Sequence, residues 1–127
     1  MKRLSANQHL ARVRRLCMEF PDTLEKLSHG APTFFAGGKR VFAMFVNDHH
    51  GDGHIAVWIP ARPGMQQALI EEAPEMYFRP PYVGPSGWIG IELGGVTDEQ
   101  LAAHIREAWL LVAAKKLRGA ARDKVVK

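Results

Sequence analysis

Over residues 5–20 the apolar positions fall at helical spacing, with Leu10, Val13, Cys17 and Phe20 forming one stripe. Ser5-Ala6-Asn7-Gln8 has the spacing of a capping box, in which a Ser hydroxyl and a Gln side chain satisfy the free amides of a helix start. The pattern predicts a first helix running to about Phe20. Pro21 ends it, because proline donates no N–H and pushes the preceding residue out of the α region. The period then falls toward two. Residues 23–29 alternate loosely, 32–36 are short and aromatic, and 39–46 are rich in β-branched and aromatic residues, which predicts an antiparallel meander turning at Gly37-Gly38. Residues 47–53 read as a polar loop. Residues 54–59 alternate strictly, so Ile55, Val57 and Ile59 are expected to face the core and His54, Ala56 and Trp58 the opposite side.

Residues 63–72 predict a short helix with Met65, Ala68 and Leu69 inward, closed by Ala73-Pro74. Residues 76–83 contain Pro80-Pro81 and are expected at an edge or in a loop, since a central strand needs every N–H. Residues 88–93 alternate again, Ile89, Ile91 and Leu93 against Trp88, Gly90 and Glu92. Thr97-Asp98-Glu99-Gln100 forms a second capping box, and Leu101, Ile105, Ala108, Trp109 and Val112 continue at helical spacing toward an end near residues 117–119. The order is helix, three strands, helix, two strands, helix. It predicts an α+β domain in which helices cover one face of an antiparallel sheet. A chain of 127 residues suits one core, so residues 1–127 are expected to form one domain with a basic tail from about 115.

Several separated blocks carry a family resemblance. Ser28-His29-Gly30-Ala31-Pro32-Thr33-Phe34, Gly38-Lys39-Arg40-Val41-Phe42-Ala43, Pro81-Tyr82-Val83-Gly84-Pro85-Ser86-Gly87-Trp88 and Leu111-Val112-Ala113-Ala114-Lys115-Lys116-Leu117 occur in order over nearly the whole chain. Together they resemble the MmcQ/YjbR-like family. The resemblance implies a two-layer fold similar to that of secretion chaperones, no common activity, and a DNA-binding role with paired hairpins acting as wings. In place of the family's proline before the last basic pair this chain has Ala114, which would let the final helix continue into the tail.

Charge changes the picture through its distribution. Residues 1–20 sum to +4 and residues 115–127 to +5, while the stretch between them sums to −5, so an anion-binding surface should draw on the two ends. No window approaches the roughly 18 apolar residues of a membrane span, and no signal-type apolar run follows the start, so a soluble cytoplasmic protein without a membrane partner is expected. Cys17, the one cysteine, lies on the apolar stripe and reads as packing rather than redox chemistry.

No combination of nucleophile, paired carboxylates, metal-ligand spacing or cofactor motif emerges, so no catalytic residue, metal or cofactor is assigned. Lys39 and Arg40 beside the Gly37-Gly38 turn, Arg62, Arg79, and the tail residues Lys115, Lys116 and Arg118 are the candidate nucleic-acid contacts. Alternation puts Trp58 and Trp88 away from the main core, where with Phe34 or Tyr82 they would make a stacking platform or apolar groove. His29 is a candidate base lacking a partner to orient it, and the Asp/His/Gly run over residues 48–54 reads as a polar turn rather than a metal loop. The leading expectation is a non-enzymatic binding domain, monomeric or homodimeric, that binds DNA through these basic residues. A peptide or protein adaptor using the Trp58/Trp88 face is the alternative, and a small-molecule pocket around His29, Trp58 and Tyr82 the third.

Overall fold

Three helices pack on one face of a six-stranded sheet in the computed structural model, which describes residues 3–113 and Gly119. The order is α1 (Ala6–Cys17), β1 (Thr23–Ser28), β2 (Ala31–Ala36), β3 (Arg40–Asn47), β4 (Ile55–Ile59), α2 (Met65–Glu72), β5 (Tyr77–Phe78), β6 (Ile89–Glu92) and α3 (Asp98–Val112). Every strand pair is antiparallel, in the spatial order β1-β2-β3-β4-β6-β5. The α+β architecture is the expected one. Four strands precede α2 rather than three, because the alternating residues ahead of it pair fully with β3 as β4. The Pro80-Pro81 segment is an edge, as its missing donors require: β5 has only two paired residues before the chain leaves the sheet.

Both predicted capping boxes form. Gln8 N donates to Ser5 Oγ and Gln100 N to Thr97 Oγ1, while each Gln side chain accepts from the cap residue's own amide. Helix α1 ends at Cys17, not Phe20: Met18 N makes the last helical bond, and Phe20 swings in to stack on Trp109 with ring centroids 5.0 Å apart. Helix α2 turns a different side inward. Met65 and Ala68 are exposed, and the inner stripe is Gln66, Leu69 and Ile70, because Gln66 Nε2 donates to the carbonyls of Gly84 and Trp88 and anchors the helix over that loop. Helix α3 is described to Val112, with Ala113 extended at φ −69°, ψ 143°, and the expected continuation through Ala114 lies outside the described residues.

The helix side of the sheet holds the main core. Val13, Leu16 and Cys17 of α1 and Leu101, Ile105, Ala108 and Trp109 of α3 meet Phe34, Phe42, Val57, Ile89 and Ile91. The strict alternation of β4 and β6 is realised, with Val57, Ile59, Ile89, Ile91 and Leu93 inward. A second, smaller cluster occupies the opposite face, where Val46, Ala56 and Trp58 lie under Met44, Phe78, Val83 and Trp88. Among the described residues no helix is long and apolar enough to cross a membrane.

Candidate functional site

A cleft of about 1030 Å³ opens where the start of α1, the start of β4, the end of β6 and β5 come together. Arg3, Leu4, His9 and Arg12 contribute one wall, His54 and Ile55 another, Phe78 a third, and Glu92 with residues 93–96 and Asp98 the remainder. The antiparallel register explains the meeting. Ala56 pairs with Glu92, so His54, two residues earlier on the same face of β4, is the diagonal neighbour of Glu92. The Glu92 Oε1 atom lies against His54 Nδ1. The imidazole also lies flat on the Phe78 ring, with centroids 4.0 Å apart and planes 7° from parallel. Phe78 in turn covers Gly90, where a Cβ would fall 2.4 Å from the ring. His54 therefore packs against the Glu92 carboxylate and the Phe78 ring.

His9 is fixed differently. It is 5% exposed, and its Nδ1 lies 3.0 Å from Arg12 Nη1. Guanidinium has no acceptor, so Nδ1 accepts and a neutral His9 carries its proton on Nε2. Burial, with the Arg12 charge added, pushes the pKa of His9 below the ordinary imidazole value and keeps it neutral. Arg12 is itself immobilised. It donates to the carbonyls of Leu93 and Val96 and to Asp98 Oδ1, each at 2.7 Å. Asp98 also accepts from Arg15, and its hydrogen bond from Arg12 lowers its pKa first among several causes. This network ties α1 to the start of α3 and to the loop that ends β6.

A family model, YjbR, matches residues 18–111. The chain belongs to the YjbR family. The crystal structure of Deinococcus radiodurans protein DR2400, which carries a DUF419 domain, superposes with a TM-score of 0.70 at 21% identity, covering 87% of this chain and 86% of that one. At that identity the likeness concerns the fold. No curated protein matches the chain. The YjbR match spans all of the strands described above, including both elements that supply His54 and Glu92.

In this YjbR domain the residues singled out from sequence are scattered. His29 is exposed at φ 52° beside Gly30 at φ 80°, the two-residue turn of the β1–β2 hairpin, with two strands between β1 and β4. Phe34 is buried in the main core, so it is not part of a platform with Trp58. Trp58 is 4% exposed, and Val83 and Trp88 pack over it with the loop that follows β5. The platform is thus closed by the chain's own loop. Tyr82 is 74% exposed at φ 63°, its ring edge-on to His49, which is in turn edge-on to Trp58. The aspartates of the His/Asp loop serve the backbone: Asp48 Oδ1 accepts from Gly53 N and Asp52 Oδ1 from His54 N.

Among the basic candidates, Arg62 pairs with Glu107 at 3.1 Å and Arg79 lays its stem over Gly84. Lys39 and Arg40 are exposed at the β2–β3 turn with no ion-pair partner among the described residues. Lys115, Lys116 and Arg118 lie outside the described residues. His9, Arg12 and Glu92 were missed in the sequence. Alternation alone puts His54 and Glu92 on the same side of their strands, but β6 joins β4 only after a helix and an edge strand have intervened.

Proposed function

We propose that this YjbR domain binds a small molecule in the cleft beside α1. The observation that carries the reading is an imidazole, His54, packed against the Glu92 carboxylate and the Phe78 ring in one wall of that cleft, with the buried His9 in another. A base or hydrogen-bonding group needs a partner to orient it, and His54 has two where His29 has none among the described residues. Ile55, Leu93, Val96 and Phe78 give the cleft apolar surface beside the charged side chains of Arg3, Glu75 and Asp98, a mixture suited to a polar ligand. A polar fragment library screened by amide chemical-shift mapping checks this. The reading expects responses concentrated at residues 53–55 and 92–96, and hits mapping only to the hairpin tips would contradict it.

A second reading, DNA binding, draws support from Lys39 and Arg40, exposed at a hairpin tip. Several other arginines carry less, since Arg12 and Arg15 share Asp98, Arg14 chelates Glu25 and Arg62 pairs with Glu107. Phosphate binding needs free positive charge. Anisotropy titration of labelled duplex DNA should show affinity that falls steeply with salt and weakens in Lys39→Glu/Arg40→Glu; salt-independent affinity would count against the reading. The adaptor reading finds less support, because Trp58 is covered by residues of its own chain.

A further inference from the structure

We infer that β1 is a homodimerisation edge: two copies of this chain pair through it, antiparallel about a two-fold axis at Glu25, so that their six-stranded sheets run on as one. The two edges of the sheet differ. At one, β5 offers two paired residues before the chain reaches Pro80-Pro81, which blunts it. At the other, β1 pairs with β2 over all six residues of Thr23–Ser28 and carries no proline. Helix α1 packs chiefly over α3, β3 and β4 rather than over this edge.

The pairing of β1 with β2 determines which backbone groups point outward. Gly37 N donates to the Asp22 carbonyl, and bonded and non-bonded pairs alternate along an antiparallel ladder. Asp22, Leu24, Lys26 and Ser28 therefore bond toward β2, while Thr23, Glu25 and Leu27 turn N–H and C=O away from it. Those outward groups have no hydrogen-bond partner among the described residues. Facing residues of an antiparallel pair share a face of the sheet, so a second β1 fits only where odd-numbered residues meet odd-numbered ones. An axis at Glu25 sets Thr23 opposite Leu27 and Glu25 opposite its own copy, which pairs all three outward residues; every other register leaves at least one without a β1 partner. The side chains suit the same register. Leu27, 72% exposed, meets Thr23 of the second copy, and Leu24, 46% exposed on the other face, meets the aliphatic stem of that copy's Lys26. The two Glu25 carboxylates come together already paired, each held through both oxygens by Arg14 of its own chain. An axis at Lys26 would instead set two ammonium groups together that have no ion-pair partner among the described residues. The edge is complementary to itself, which makes a second copy its occupant.

Sedimentation equilibrium and amide hydrogen exchange on the full chain, over a concentration series, test this. The mass should rise from that of one chain toward that of two, and the amides of Thr23, Glu25 and Leu27 should gain protection with it, while those of Leu24, Lys26 and Ser28 stay protected throughout. Leu27→Pro removes an outward N–H that the hairpin does not use, so its thermal midpoint in dilute solution should match the parent's. Its association should weaken at least ~10-fold, because two donors are lost per dimer. A chain that stays monomeric with those three amides exchanging freely would overturn the inference, as would association unaffected by Leu27→Pro. Protection of the three amides gained only on adding an unrelated extended peptide, a Thr-Val repeat, would overturn the second copy as the occupant.

Discussion

Arg12 is nearly out of water, its side chain 11% exposed, and its guanidinium is surrounded by the Asp98 carboxylate, two backbone carbonyls and His9 Nδ1. Removing it would strand all of these. Arg12→Ala should lower the unfolding free energy by about 3 kcal/mol, read from the urea midpoint, and a change below about 0.5 kcal/mol would contradict the clamp. The Arg14–Glu25 pair has the same chemistry in a wetter place, its two bonds 2.7 and 2.8 Å long with Arg14 nearly half exposed, and should contribute under about 1 kcal/mol. Burial pushes the Cys17 thiol well above the ordinary value, which makes it inert in the folded chain. A thiol reagent such as Ellman's should leave the native protein unmodified and react fully in denaturant; rapid native labelling would refute the packing role. Cys17 was legible from sequence because a lone cysteine on an apolar stripe has a simple physical reading. Arg12 was not, because three of its partners lie more than eighty residues away and two of those are carbonyls that no side-chain pattern reveals.

The elements were legible wherever local chemistry determines them. Capping boxes act within four residues, and strict alternation assigns a strand's two faces without knowledge of its partner, so α1, α3, β4 and β6 were readable from the chain alone. Helix α2 was not, because Gln66 is drawn inward by carbonyls of a loop about twenty residues later, and an apolarity pattern cannot anticipate a buried amide. The β5–β6 pair carries a further prediction. The Phe78 ring lies over Gly90 on one side and on His54, so a methyl at residue 90 must displace the ring that positions the imidazole. Gly90→Ala should cost roughly 1–3 kcal/mol and change the ring-nitrogen shifts of His54 together with the thermal midpoint. An unchanged His54 spectrum would mean that Phe78 does not position it.

Across the whole molecule, acid should weaken the fold in two stages. His9 is held below its ordinary value of 6.5 by burial and then by Arg12, and His104, whose Nε2 meets the Tyr77 hydroxyl at 2.7 Å, by burial. The unfolded chain takes up those protons more readily, so stability is full above 6.5 and declines as the pH falls below it. The arginine hydrogen bonds to Glu25 and Asp98 depress both carboxyls, so their contribution is present above the ordinary values of 4.5 and 3.8 and is lost as the pH falls through the depressed ones. Thermal unfolding followed by circular dichroism over a pH series should show both stages, and His104→Gln should flatten the first. A midpoint flat between pH 6.5 and 4.5 would contradict the neutral buried histidines. At this scale the family and layer architecture were readable from motifs and periodicity, whereas the cleft arises from a sheet order that brings β6 beside β4. The central claim, that the cleft beside α1 is a ligand site, is tested most directly by amide chemical-shift mapping of a polar fragment library on the full chain. Responses concentrated at residues 53–55 and 92–96 are expected, and hits confined to the hairpin tips would contradict the claim.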